Sequence, residues 1–216
     1  MKRKISLLIS ITLLITLLTI FITYYNYKPR LTYKYSNEYD GYLVYKAYGD
    51  KKKYKIKEEF NNKKIVGIST RAFYNHKNLK TIEFENSENI KYIGRLSFSK
   101  CKNLSEIDLS YVSLIDKNAF SYCYKLDNIS IMASDILGSA FYKCKSLTNI
   151  ELNEGVETIG TYAFSYTNFN ELKLPHSMIE CYIDSFKYSN LNKIYYYNSF
   201  KPNDYLLNSN IELVKI

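Results

Sequence analysis

Four cysteines and two histidines are the residues of this 216-residue chain best able to do chemistry; they stand at 101, 123, 144 and 181, and at 76 and 176. A nucleophile needs a base in reach, and a zinc site needs four donors in a tetrahedron. Neither His76 nor His176 has a nucleophile at a motif spacing, no two cysteines form a CxxC pair, and no GxSxG, HExxH, P-loop or GxGxxG occurs. The cysteines are too few and too spread for a disulfide scaffold. Cys101, Cys123 and Cys144 recur 22 and 21 residues apart, which stacks them in one column about a strand spacing apart. A column of that kind reads as core-facing buried thiols, since a line of sulfurs lacks the geometry of a zinc site. A glycosidase-like carboxylate pair stays open on sequence, but no motif marks one. The chain therefore reads as a non-enzyme without cofactor or metal.

The element that positions these residues is a repeat. Phenylalanines after Ala or Ser fall at Phe73, Phe98, Phe120, Phe141, Phe164 and Phe186, spaced 25, 22, 21, 23 and 22. Five residues before each lie Ile68, Ile93, Ile115, Ile136, Ile159 and Cys181. Three earlier still stand Ile65, Ile90, Val112, Ala133, Val156 and Met178. Downstream run Leu79, Leu104, Leu126, Leu147, Phe169 and Leu191, then Ile82, Ile107, Ile129, Ile150, Leu172 and Ile194, and two further on Phe84, Leu109, Ile131, Leu152, Leu174 and Tyr196. A period of 21–25 with L-x-x-I-x-L lies in the leucine-rich-repeat range. Its alternating part predicts a short strand with Ile and Leu inward, and the Ala-Phe part predicts the opposite wall of each coil. Burying one such side chain contributes ~1.5–3 kcal/mol. Ordering one repeat costs on the order of 30 kcal/mol, so a single coil cannot fold alone and stability becomes a sum over stacked neighbours.

The pattern IGxxAFxxCxxLxxIxL resembles the BspA-like leucine-rich-repeat proteins of microbial cell surfaces, and Cys101, Cys123 and Cys144 match that family's cysteine three residues after Phe. The resemblance runs from about Leu43 to the C-terminus. It implies an α/β solenoid, a leucine-rich-repeat array with parallel strands on one face. Residues 42–64 are similar to the family's N-terminal cap hairpin, 65–196 to six repeats, and 197–216 to its closing cap. His76 replaces the cysteine in the first repeat, and Thr167 and Ser189 stand there in the last two, as suits atypical end repeats. The family implies extracellular recognition of proteins or host surfaces.

Residues between and just before the inward Ile and Leu should face outward. They include Glu83, Glu106, Asp108, Glu151, Glu171, Lys173, Lys193 and Tyr195, acidic to neutral in the first four repeats and carrying Lys and Tyr in the last two. Such a strip suits partner recognition on the concave face, with tyrosine as anchor, or is plain soluble strand surface. The N-terminal part offers a rival site. Tyr42–Tyr48 followed by Gly49-Asp50 and a returning strand to Ile56 reads as a hairpin. Lys51, Lys52, Lys53, Tyr54 and Lys55, with Lys57, could meet a polyanion, or could be a solvated edge.

The charge of +9 is uneven: residues 1–64 carry 14 Lys/Arg against 5 Asp/Glu, while 65–216 carry 16 of each. A balanced repeat region weakens any nucleic-acid reading. Lys2-Arg3-Lys4 precedes an uncharged run, residues 5–23, long enough to cross a hydrocarbon core of about 30 Å. The run reads as a transmembrane anchor with residues 1–4 as a cytoplasmic basic tip, or as the apolar part of a cleaved signal peptide that releases a secreted domain. Residues 24–41 read as a juxtamembrane linker. The expected protein is a surface-tethered recognition or adhesion module with a protein or other cell-surface ligand and an open oligomeric state. The alternative is a structural or polyanion-binding module using the Lys51–Lys57 cluster.

Overall fold

The computed structural model describes residues 11–22 and 30–216. The basic tip at 1–4, the ends of the apolar segment and the tyrosines at 24, 25 and 27 lie outside the described residues. Residues 11–22 form a helix, α1, whose Leu13, Leu14, Leu17 and Leu18 are 56–68% exposed. Among the described residues no helix is long and apolar enough to cross a membrane.

From Arg30 onward the chain winds into a parallel β-solenoid with three walls. The first wall is one continuous sheet. Its core is the parallel series β2 (Gly41–Tyr48), β5 (Lys63–Ile68), β7 (Tyr92–Ile93), β9 (Leu114–Ile115), β11 (Asp135–Ile136), β13 (Thr158–Ile159) and β15 (Glu180–Cys181). β1 (Arg30–Ser36) closes its N-terminal edge antiparallel to β2, and β4 (Glu59–Phe60) pairs antiparallel with β5. The second wall carries the L-x-x-I-x-L strands in three sheets: β3 (Lys53–Ile56) with β6 (Thr81–Phe84) and β8 (Glu106–Ile107); β10 (Asn128–Ile131) with β12 (Asn149–Leu152); and β14 (Glu171–Lys173) with β16 (Lys193–Tyr196) and β17 (Glu212–Lys215).

The third wall is made of turns around each Ala-Phe or Ser-Phe. Backbone N–H groups there donate to the next coil, as in Phe73 N to Ser97 O at 2.8 Å and Phe98 N to Ala119 O at 2.8 Å. Two residues flanking each phenylalanine, such as Ser139 (φ 59°) and Lys143 (φ 60°), adopt the left-handed region. That conformation costs an ordinary residue about 1–2 kcal/mol. Here it turns alternate N–H groups toward the neighbouring coil, and Ser139 N reaches Thr161 O and Lys143 N reaches Ser165 O, both at 2.9 Å.

The core is the space between the walls. Phe73, Phe98, Phe120, Phe141 and Phe164 are fully buried and stack in a column, ring centroids 5.1–5.2 Å apart and planes within 13°. Ala72, Ala119, Ala140 and Ala163 beside them are buried, because the turn backbone leaves no room for more. Cys101, Cys123 and Cys144 are buried thiols whose Sγ atoms donate to the Phe73, Phe98 and Phe120 carbonyls one coil back at 3.0, 3.1 and 3.2 Å. Burial pushes the Cys101 thiol up to about 12 and likewise raises those of Cys123, Cys144 and Cys181 well above the ordinary thiol value.

Three expectations are corrected. The solenoid is β rather than α/β, and parallel strands line two walls rather than one face. Among the described residues helix is confined to α1, the four-residue α2 (Asp204–Leu207) and a 3-10 turn at Ser87–Asn89. A period of about 22 leaves room for two strands and a turn wall but not for a helix of ordinary length. The hairpin expected within 42–64 does not form: β2 pairs with β1, whereas β3 crosses to the second wall and continues it against β6. The expected linker accordingly gives up Arg30–Ser36 to a strand, anchored by Tyr33 stacking on Phe60 at 4.5 Å. At the far end β17 runs parallel to β16 and extends the second wall by one more strand.

Candidate functional site

Strand alternation decides which side chains of the second wall are available. Ile82, Ile129, Leu172 and Ile194 point inward and are buried, and their neighbours in sequence point out. The outward residues line three shallow grooves that follow one another along the wall. Glu83, Glu106 and Asp108 share the first, about 710 Å³, with Lys55 and Asp127. Asp108, Glu151 and Glu171 share the second, about 450 Å³, which no lysine or arginine lines. Glu151 and Lys173 share the third, about 370 Å³, with Glu154, His176 and Tyr197. Lys193 and Tyr195 line none of them. Lys193 pairs with Glu212 at 3.1 Å, and the Tyr195 hydroxyl donates to Glu171 Oε2 at 3.4 Å.

The acidic groups differ in how far their charge is already met. Glu83 pairs with Lys53 across β3 and β6. Glu106 accepts from the Thr81 hydroxyl at 3.5 Å, and Asp108 accepts from Ser110 N at 2.9 Å. Of the three grooves the second alone has no cation among its lining residues, although Lys193 acts electrostatically on Glu171 from outside it. In the third, Glu154 clips the following turn, accepting from His176 N at 3.0 Å and Ser177 N at 3.2 Å while His176 Nδ1 lies 3.0 Å away. Those backbone donors, then the His176 ring, hold the Glu154 carboxyl below the usual carboxylate range. The His176 ring stacks on Tyr197 at 3.5 Å, and Lys173 lies 5.5 Å over the same tyrosine.

The lysine cluster does not assemble. Tyr54 is 5% exposed, its ring edge-on to Phe73 at 5.3 Å and its hydroxyl donating to the carbonyls of Tyr48 and Gly49 at 2.9 Å. Lys53 pairs with Glu83, and Lys55 with Glu85 at 3.1 Å. Lys51 and Lys52 remain exposed in the turn before β3. A strand sends alternate side chains to opposite sides, so Lys53 and Lys55 face the acidic wall while Tyr54 fills the core. This corrects the reading of residues 51–55 as one basic patch.

Asp127 and Glu154 are not among the residues the sequence singles out; His176 stands there only as a histidine without a nucleophile at a motif spacing, and Tyr197 only as one of the tyrosines 195–197 that could anchor a partner. Asp127 precedes its strand by one residue, Glu154 follows its strand by two and His176 by three, outside the alternating positions. Among the described residues no group of three or more His, Cys, Asp and Glu side chains is placed to hold a metal ion.

The family profile described as the BspA type leucine rich repeat region matches in six copies over residues 51–137 and 115–216. No curated protein matches the chain. Several solved structures resemble it, two of which superpose as follows. A leucine-rich cell surface protein from Faecalibacterium prausnitzii A2-165 superposes with a TM-score of 0.62 at 21% identity, over 77% of this chain and 52% of that protein, so this chain spans about half of it. The T. pallidum leucine rich repeat protein superposes with a TM-score of 0.51 at 21% identity, over 76% of this chain and 68% of that one. At such identities the likeness speaks to the fold, and with the repeat-by-repeat profile match it leads to one conclusion: the chain belongs to the BspA-type leucine-rich-repeat family.

Proposed function

We propose that the protein is a recognition module that docks a basic protein surface on its second wall. The carrying observation is the second groove, where Asp108, Glu151 and Glu171 converge with no cation among the lining residues. Strands present such groups at fixed register positions, so little side-chain ordering is needed on binding. Charge of one sign along a groove steers an oppositely charged partner and raises its on-rate. Family membership supports a binding role over catalysis. The uncharged segment at residues 5–23, with leucines of α1 exposed, supports tethering through the N-terminus and an extracytoplasmic solenoid. The test is Glu106→Gln, Glu151→Gln and Glu171→Gln together, scored by surface plasmon resonance against a panel of purified cell-surface proteins of graded basic charge. Basic members should bind the parent chain and lose at least about tenfold with the variant, mostly in association rate. Binding unchanged in the variant removes the grooves from consideration. Membrane fractionation with external protease tests the tether, and a solenoid that stays in the soluble cytoplasmic fraction refutes it.

A further inference from the structure

The turn wall carries a surface that the acidic grooves do not use. Each coil places tyrosine or lysine one or two residues after its buried phenylalanine, and the coils bring these side chains into a file. Tyr122 and Tyr142 lie 5.6 Å apart, Tyr142 and Tyr166 5.5 Å, Tyr166 and Tyr188 4.8 Å. Lys143 Nζ sits among three of them, 5.4 Å from the Tyr122 ring, 5.1 Å from Tyr142 and 5.2 Å from Tyr166. Lys100 stands 5.5 Å over Tyr74, and Lys187 stands 5.5 Å over Tyr188. Tyr74, Tyr166 and Tyr188 are open to solvent, 38%, 36% and 63% exposed, while Tyr122 and Tyr142 are half-buried in edge-to-face contacts with their neighbours. Lys187 is paired with Asp184 at 3.1 Å, but none of the ion pairs among the described residues involves Lys100 or Lys143.

We propose that this tyrosine–lysine file binds an acidic polysaccharide laid along the solenoid axis. Three features select that class. First, the same chemistry recurs at every coil, with a rise near the 5.1–5.2 Å of the stacked phenylalanines. That suits a polymer of repeating units, about one sugar ring per coil, better than the irregular surface of a protein. Second, the exposed rings of Tyr74, Tyr166 and Tyr188 offer apolar platforms for the C–H faces of sugars, and aromatic platforms accept such units by stacking. Third, Lys100 and Lys143, outside every ion pair among the described residues and held by the hydroxyls of Tyr74 and Tyr142, match a chain with an acidic group on some units. A nucleic acid bears a phosphate at every unit and calls for denser cations.

Replacement can be made without disturbing the turns. Lys143, Tyr166 and Tyr188 have φ of 60°, 59° and 60°, a region where asparagine is the best-tolerated residue after glycine. The full chain in mild detergent is titrated by calorimetry with polygalacturonate oligomers, a phosphate-bearing glycan, a neutral β-glucan and single-stranded DNA. The acidic glycans should bind and the neutral one should not. A preference between the first two tells whether carboxylate or phosphate is the natural group. Tyr166→Asn with Tyr188→Asn, and separately Lys143→Asn, should each weaken acidic glycan binding by about tenfold or more with an unchanged far-UV circular dichroism spectrum. The glutamine variant of the acidic grooves should bind these glycans as the parent does. Failure of both acidic glycans to bind, binding that survives in the folded asparagine variants, or tighter binding of DNA than of either glycan overturns the proposal.

Discussion

The phenylalanine column should make stability depend on position along the array. Phe141 is fully buried and stacked on both sides, 5.1 Å from Phe120 with planes 4° apart and 5.2 Å from Phe164 with planes parallel. Phe186 ends the column, 3% exposed, with its single parallel contact to Phe164 at 6.1 Å. Replacing a buried phenylalanine by alanine costs about 3–5 kcal/mol, cavity included. A well-stacked ring pair adds about 0.5–1.5 kcal/mol beyond the area it buries. Phe141→Ala loses two such pairs and belongs at about 5 kcal/mol. Phe186→Ala loses two looser pairs, to Phe164 at 6.1 Å and edge-on to Phe169 at 6.4 Å, can relax toward the end of the array, and belongs at about 3 kcal/mol. At roughly 3 °C per kcal/mol for a chain of this length, Tm should fall by about 15 °C and about 9 °C. Urea titrations followed by far-UV circular dichroism measure both differences. Costs equal within about 0.5 kcal/mol, or a costlier Phe186, would refute nearest-neighbour stacking as the source of stability.

The other expectations concern the ends, the thiols and acid. Deleting residues 1–29 removes none of the strands among the described residues and should leave the urea midpoint in place. Deleting 1–36 removes β1 and the Tyr33–Phe60 stack and should cost about 3 kcal/mol, which the same titration reads. Native protein at pH 7.5 should resist iodoacetamide at all four cysteines, each buried with its thiol pKa raised, and all four should react in urea; native labelling counted by mass spectrometry would sink the buried-column reading. Glu154 is held below its usual range by the His176 and Ser177 backbone, and Glu85 by Lys55 first and then the Glu58 N–H. A depressed carboxylate binds its proton less tightly in the folded chain, so its stabilisation is whole above the ordinary value of 4.5 and is lost as pH falls below it. The urea midpoint should therefore drop between about pH 5 and pH 3, and less steeply in Glu154→Gln.

Much of this architecture was legible because a repeat states the same constraint many times. Ile82 and Leu172 were readable as inward, and Glu106 and Glu171 as outward, from alternation alone. What stayed hidden depends on pairing across long separations. Nothing local in Arg30–Ser36 says that it will cap β2, and a hairpin with Lys53–Ile56 satisfied the same turn signal at Gly49-Asp50. Tyr54 was misjudged because a run of lysines was read along the chain when the strand divides it between two sides. The tyrosine–lysine file does follow the repeat, Lys100, Tyr122, Lys143, Tyr166 and Tyr188 each standing two residues after a column phenylalanine, but two residue types share that position and Tyr74 and Tyr142 fall one residue earlier. The left-handed turns that bring it together fall on ordinary residues such as Tyr166 rather than on glycine.

The two strand walls differ mechanically. Along the first wall hydrogen bonds join every neighbouring strand from β1 to β15, while on the second no backbone bond links β8 to β10 or β12 to β14. The first wall is thus a spine and the second is jointed at two seams. Flexing that spreads a seam breaks no ladder bond, and Ile107 and Ile150, only partly buried, sit on either strand edge. The first groove is lined by Glu106 and Asn128, and the second by Asn149 and Glu171, residues from opposite sides of a seam. The width of the acidic grooves is therefore coupled to the bend of the whole solenoid, and a partner that wedges into one seam straightens or curls the array.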